Sequence, residues 1–186
     1  MKKLYDRLNA NPVIAAIKDG AAFEAAVKSE CEVIFLLSGN ICNINQTVNA
    51  AHSAGKEVYI HIDLMDGFGR DKYTIQYIKE TIAPDGIITT RSPLIKIAKE
   101  FELTAIQRIF LIDNLSLKTG IQSVGLVKPD AIEVLPGLMP KVIKTICASV
   151  KTPVITGGLI NDKEDIIACL NAGAVGVSTS KPSLWE

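Results

Sequence analysis

PVITGGLI (153–160) and AVGVSTS (174–180), close to the end of the chain, decide how the rest is read. Pro153 to Gly158 reads as a buried strand running into two glycines. Ala174 to Ser180 reads as a second strand, ending in Ser178, Thr179 and Ser180. Between them lies a helical pattern, Asp162 to Leu170, closed by Asn171-Ala172-Gly173. In a (β/α)8 barrel these are strands 7 and 8, and the loops after those strands commonly hold a phosphate group. Glycine lets backbone N–H groups approach phosphate oxygens closely, and hydroxyls add short donors. Gly157, Gly158, Ser178, Thr179 and Ser180 are therefore the candidate phosphate-binding residues. The plainer alternative is that glycines end strands and small residues pack the mouth.

Working outward, short apolar runs alternate with amphipathic helical patterns along the whole chain. The runs are VIAAI (13–17), VIFLL (33–37), EVYIHID (57–63), GIITT (86–90), TAIQRIFLI (104–112) and AIEVLP (131–136), followed by the two already quoted. Continuous apolar runs with β-branched residues suit strands buried on both faces of a parallel sheet. Helical patterns fill the gaps at 21–30, 44–54, 72–82, 93–101, 115–126, 140–149 and 162–171. Eight strands with seven helices between them predict a closed α/β TIM barrel in one domain, 1–186. At 186 residues the chain falls short of the ~250 typical of the fold, so the barrel must be compact with short loops. An open doubly wound sheet would usually carry a glycine-rich turn after strand 1. Here only Lys18-Asp19-Gly20 follows it.

Side chains alternate along a strand, so Tyr59, His61 and Asp63 share one face while Val58, Ile60 and Ile62 share the other. The aliphatic set should face the helices, which places His61 and Asp63 inside, near the C-terminal mouth. By the same argument Glu133 faces inward. Strand 5 carries Gln107 and Arg108, and its alternation does not say which is inside. His61, Asp63, Glu133 and Arg108 could transfer protons, bind the hydroxyls of a polyol, or form a structural ion-pair layer. LMDGFGRDKY (64–73) is among the longest polar loops at the mouth. Its Asp66, Gly67, Gly69 and Arg70 make it a candidate lid, against the reading of a plain solvated loop.

Lys plus Arg number 20 and so do Asp plus Glu, which gives no general electrostatic footprint for nucleic acid. Cys31, Cys42, Cys147 and Cys169 form no CxxC pair, and no Cys/His cluster has zinc spacing. Buried thiols in a reduced cytoplasm are expected, with no metal and no cofactor. No apolar stretch approaches the roughly 18 residues of a membrane span.

HIDLMDG (61–67), GIITTR (86–91), IQRIFLID (106–113), PDAIEVLPG (129–137), PVITGGLI, AVGVSTS and the closing LW (184–185) fall at successive strand ends. As a set they resemble the glycerol uptake operon antiterminator regulatory protein family over essentially the whole chain. The resemblance implies a (β/α)8 barrel that senses glycerol 3-phosphate. It further implies that the liganded protein binds leader mRNA of glycerol-utilisation genes and prevents transcription termination there. Asp63, Asp66, Arg108, Asp113, Glu133, Gly157, Gly158 and Ser178 to Ser180 lie in the matching strings. Homo-oligomers could assemble a larger basic surface than one neutral chain offers. The competing reading is an enzyme, an isomerase, epimerase or aldolase acting on a small phosphorylated compound. Against a Schiff-base mechanism, the only Lys at a strand's C-terminal end is Lys181.

Overall fold

In the computed structural model, which describes residues 2–186, all eight apolar runs are parallel strands. They are β1 (Val13–Ile17), β2 (Val33–Leu36), β3 (Glu57–His61), β4 (Gly86–Thr89), β5 (Thr104–Phe110), β6 (Ala131–Leu135), β7 (Val154–Gly157) and β8 (Gly176–Thr179). Each pairs with the next in sequence, and β8 returns to β1 through Val13↔Val177, Ile14↔Ser178 and Ala15↔Thr179. The sheet is closed and has no edge, so every strand finds partners on both sides. The helices are α1 (Lys2–Ala10), α2 (Phe23–Lys28), α3 (Ile44–Ser53), α4 (Lys72–Tyr77), α5 (Ser92–Glu100), α6 (Asn114–Val127), α7 (Pro140–Ser149) and α8 (Lys163–Asn171). A π-helical turn, Ile78–Ile82, continues α4.

The alternation expected from the sequence holds. Val58 and Ile60 join Ile34, Leu36 and Ile87 in the layer between barrel and helices. Tyr59 faces inward, among Ile14, Phe35, Ile88, Ile106 and Ile155. Among the described residues no helix is long and apolar enough to cross a membrane.

Two features depart from the sequence reading. The first is α1, which the periodicity did not reveal. Leu4 and Leu8, one turn apart, are buried against the lower interior. Arg7 pairs with Glu32 at 2.8 Å and Lys3 with Asp85 at 2.7 Å. Both cations also approach Glu57, at 3.7 and 3.3 Å. Glu57 is 1% exposed on the inner face of β3, and Tyr59 donates its hydroxyl to it at 3.1 Å. A buried carboxylate needs nearby cations and donors, and α1 supplies the cations. The second departure is at strand ends. β3 stops at His61 and turns through a 3-10 helix, Ile62–Leu64, while β5 stops at Phe110 and leaves Ile112 exposed.

The chain end seals the seam where β8 meets β1. Trp185 is 1% exposed and its Nε1 donates to the Thr179 carbonyl at 2.9 Å. Its own carbonyl accepts from the Glu30 N–H at 3.2 Å, just before β2. Replacing a fully buried large aromatic by Ala typically costs about 3–5 kcal/mol. Trp185→Ala should lose stability of that order in urea unfolding. Trp185→Phe, which keeps a ring but not the hydrogen bond, should lose clearly less.

Candidate functional site

The upper interior of the barrel holds a chain of three buried polar side chains. Arg108 on β5 donates from Nε to Glu133 Oε2 on β6 at 2.7 Å. Ser178 on β8 donates its hydroxyl to Glu133 Oε1, also at 2.7 Å. Arg108 and Glu133 are register partners, so their contact is local. Glu133 and Ser178 are separated by β7, and the reach across it depends on Gly157. A Cβ at that position would lie 2.1 Å from Ser178 Oγ and 3.1 Å from Glu133 Oε1. Glycine here is the gap through which the carboxylate reaches β8. The cation neutralises the buried charge, and the hydroxyl satisfies the second oxygen. The terminal nitrogens of Arg108 make no hydrogen bond to another described residue. Gln107 lies on the opposite face, donating to Ser92 at 3.2 Å and Ser123 at 2.8 Å. That settles which of the two strand-5 residues faces inward.

His61 is buried at the top of β3, and its Nδ1 has no hydrogen-bond partner. Burial, and then the charge of Arg108, push its pKa down to about 4, so the ring is neutral at physiological pH. Asp63 departs from the strand alternation because it sits in the 3-10 turn. Its carboxylate accepts from the Thr89 hydroxyl at 3.0 Å and from the Thr90 N–H and hydroxyl at 2.7 and 3.0 Å. Arg91 Nε lies 3.5 Å away. Asp63 therefore ties the end of β3 to the end of β4 rather than pointing down the barrel axis.

The five residues of the candidate phosphate set divide by direction. Gly157 and Ser178 belong to the polar chain just described. Thr179 faces outward, its hydroxyl directed to the Ile160 carbonyl at 3.4 Å. Gly158 adopts φ +75°, which favours glycine, and Leu159 follows at φ +63° with its side chain exposed. Ser180 is exposed at the rim. The backbone N–H group of Ser180 donates to no other described residue. Lys181 bridges the two loops, its Nζ donating to the Asn161 carbonyl at 2.7 Å. Asn161 was invisible to sequence reading, because a backbone acceptor carries no residue-type signal.

The 64–73 loop is anchored along much of its length. Met65 is buried. Asp66 forms a parallel bridge with Asn40, with Ile41 N–H donating to the Asp66 carbonyl and Asp66 N–H to the Gly39 carbonyl, both at 3.0 Å. Gly67 sits at φ +82°, where a Cβ would meet Ile41 Cγ2 at 2.8 Å. Asp71 caps α4 by accepting from the Thr74 N–H at 2.9 Å. Gly69 and Arg70 form the exposed tip. Among the described residues no cluster of three or more His, Cys, Asp or Glu could hold a metal ion.

Comparison with known proteins agrees with this architecture. The model of the family described as glycerol-3-phosphate responsive antiterminator matches residues 13–185. The chain is 40% identical over 182 residues to the uncharacterized protein YgcP of Escherichia coli K12, covering 98% of this chain and 95% of the relative. The crystal structure of a glycerol uptake operon antiterminator regulatory protein from Listeria monocytogenes superposes with a TM-score of 0.90 at 34% identity, covering 94% and 95% of the two chains. An antiterminator-related protein from Thermotoga maritima superposes with a TM-score of 0.83 at 30% identity, covering 93% and 96%. With the family model matching nearly its whole length and a relative 40% identical across 98% of it, the chain belongs to the glycerol-3-phosphate responsive antiterminator family.

Proposed function

We propose that this chain binds glycerol 3-phosphate in the C-terminal mouth of its barrel and, when liganded, binds leader mRNA of glycerol-utilisation genes and prevents transcription termination there. The observation that carries the ligand part is the Arg108–Glu133–Ser178 chain with the side-chain-free gap at Gly157. It builds a buried floor of balanced charge below the backbone N–H groups at the ends of β7 and β8, among which that of Ser180 has no partner in another described residue. In this reading the phosphate rests against those N–H groups and the Ser180 hydroxyl. The glycerol hydroxyls meet the lone pairs of Ser178, the terminal nitrogens of Arg108 and the unpartnered Nδ1 of His61. Asp63 acts indirectly, by holding the ends of β3 and β4 together around the ligand.

A regulator of this kind is a linked equilibrium. If the ligand favours the RNA-competent state, RNA must raise ligand affinity by the same factor. A coupling of about 1–3 kcal/mol is typical and suffices for a switch. The gene-regulatory function requires the protein to work in the cytoplasm, where the transcript is made.

Calorimetric titration with glycerol 3-phosphate should give saturable heat that returns to baseline, with glycerol and inorganic phosphate binding more weakly. Heat that continues after each injection would mean turnover and favour the phosphosugar-enzyme reading. Glu133→Gln removes the charge opposite Arg108, and Ser178→Ala removes the hydroxyl. A hydrogen bond to a charged group is worth about 1.5–3 kcal/mol, so each variant should bind glycerol 3-phosphate at least tenfold more weakly.

His61 generates a pH prediction. Its folded-state pKa of about 4 lies below the ordinary value near 6.5. The unfolded chain therefore takes up the proton first on acidification. Stability falls as pH drops from about 6.5 towards 4, by up to about 3 kcal/mol, and His61 contributes no slope above that window. Urea midpoints across pH 4–7 should show a shallower acid decline in His61→Gln than in the wild type.

A further inference from the structure

The geometry points to the exposed face of α4, with the loop that precedes it, as the surface that holds single-stranded RNA. This rests on the antiterminator reading above and says where on the chain the RNA sits. Among the described residues four aromatic side chains are more than a third exposed: Tyr5, Tyr73, Tyr77 and Phe110. Two of them lie on α4, one helical turn apart and so on one face. Tyr73 is 69% exposed and Tyr77 39%. The core needs neither ring outside, because Ile75 and Ile78 already fill the inner face of this segment. Phe68 lies against Tyr77 with ring centroids 6.4 Å apart and fixes its orientation.

The charges around these rings suit a polyanion. Lys72 Nζ lies 5.0 Å from the centre of the Tyr73 ring. Arg70 and Lys72 are exposed, and neither makes an ion pair with another described residue. Of the acids beside them, Asp71 caps α4 and Glu80 accepts from the Gln76 amide at 3.0 Å, while Asp66 is exposed further back in the loop. Open aromatic faces flanked by unneutralised cations form a stacking platform with phosphate contacts beside it. A duplex offers no base faces to stack, which selects an unpaired strand. A protein partner would find few aliphatic side chains here, since Lys72, Gln76 and Lys79 share the outer surface.

The same segment leads back to the pocket. From His61 the chain passes through the turn held by Asp63, the buried Met65 and the Asp66–Asn40 bridge to Phe68 and α4. A ligand that repositions the top of β3 acts on the aromatic face through this short, anchored path.

The test measures anisotropy of a labelled single-stranded leader RNA from a glycerol-utilisation operon, with saturating glycerol 3-phosphate. Calorimetry of glycerol 3-phosphate is run on each protein in parallel. Tyr73→Ala should weaken RNA binding about tenfold, and Tyr73→Phe should retain most of it. Arg70→Ala with Lys72→Ala should flatten the dependence of log affinity on log salt by about 1.4, since each single-strand phosphate contact contributes about 0.7. Ligand binding should be unchanged in all three, and Lys141→Ala with Lys144→Ala on α7 should leave RNA binding unaltered. Wild-type affinity in Tyr73→Ala together with a wild-type salt slope in the Arg70→Ala/Lys72→Ala variant, with RNA bound by the wild type, would overturn this surface and leave the antiterminator reading intact. A wild type that binds glycerol 3-phosphate but not the RNA defeats both. If Tyr73→Ala turns a sedimenting dimer into a monomer without altering RNA affinity, the face belongs to a second copy of the chain and the proposal is wrong.

Discussion

A carboxylate sealed inside a closed barrel constrains everything around it, and this protein has one near each end of its interior. Glu133, in the upper layer, is 1% exposed, and a buried carboxylate needs a cation and donors around it. Arg108 on one side and Ser178 on the other satisfy it. That arrangement fixes residue choice on three further positions. β7 must present glycine inward at 157, β5 must turn Arg108 rather than Gln107 inward, and β8 must carry a small hydroxyl. The result is a polar floor spanning β5 to β8, set on an apolar layer of Ile88, Ile106 and Ile155.

Glu57 poses the same problem at the lower end and is answered differently. There the cations come from α1, a helix outside the barrel, whose Lys3 and Arg7 converge on it. The lower carboxylate thereby becomes a lock that holds the N-terminal segment in place. The upper one keeps donors free at the mouth, because the terminal nitrogens of Arg108 are not consumed. One end of the barrel is closed for stability and the other is left chemically open, as expected where the loops at the C-terminal face carry function.

The loops around the mouth are also tied to one another. Asp63 joins β3 to β4, the Asn40–Asp66 bridge joins the loops after β2 and β3, and Lys181 joins those after β7 and β8. These ties make the rim a connected structure rather than independent flaps. The 64–73 segment is central to it, anchored below at Met65 and above at the cap of α4. A regulator needs such connection, because a ligand can shift a distant surface only through elements that both sites bias.

The sequence by itself determined the barrel and much of its interior. Eight β-branched runs, the inward positions of His61 and Glu133, and the glycine and hydroxyl ends of the last two strands were legible because strand alternation is local and has a fixed period of two. Where the period stopped, legibility stopped with it. Asp63 looked inward only while β3 was assumed to reach it, and the 3-10 turn redirected it to Thr89 and Thr90. Helix α1 carries two buried leucines, too weak a pattern to announce itself; Glu57, more than forty residues away, secures it. Gln107 and Arg108 could not be assigned to a face until partners on other strands and helices were in place. The need for glycine at 157 became specific only when Glu133 was seen to reach across it to Ser178. Periodicity reports the local chain. The pairing of buried charges belongs to tertiary structure, because the residues that satisfy one another lie on different strands and meet only when the barrel closes.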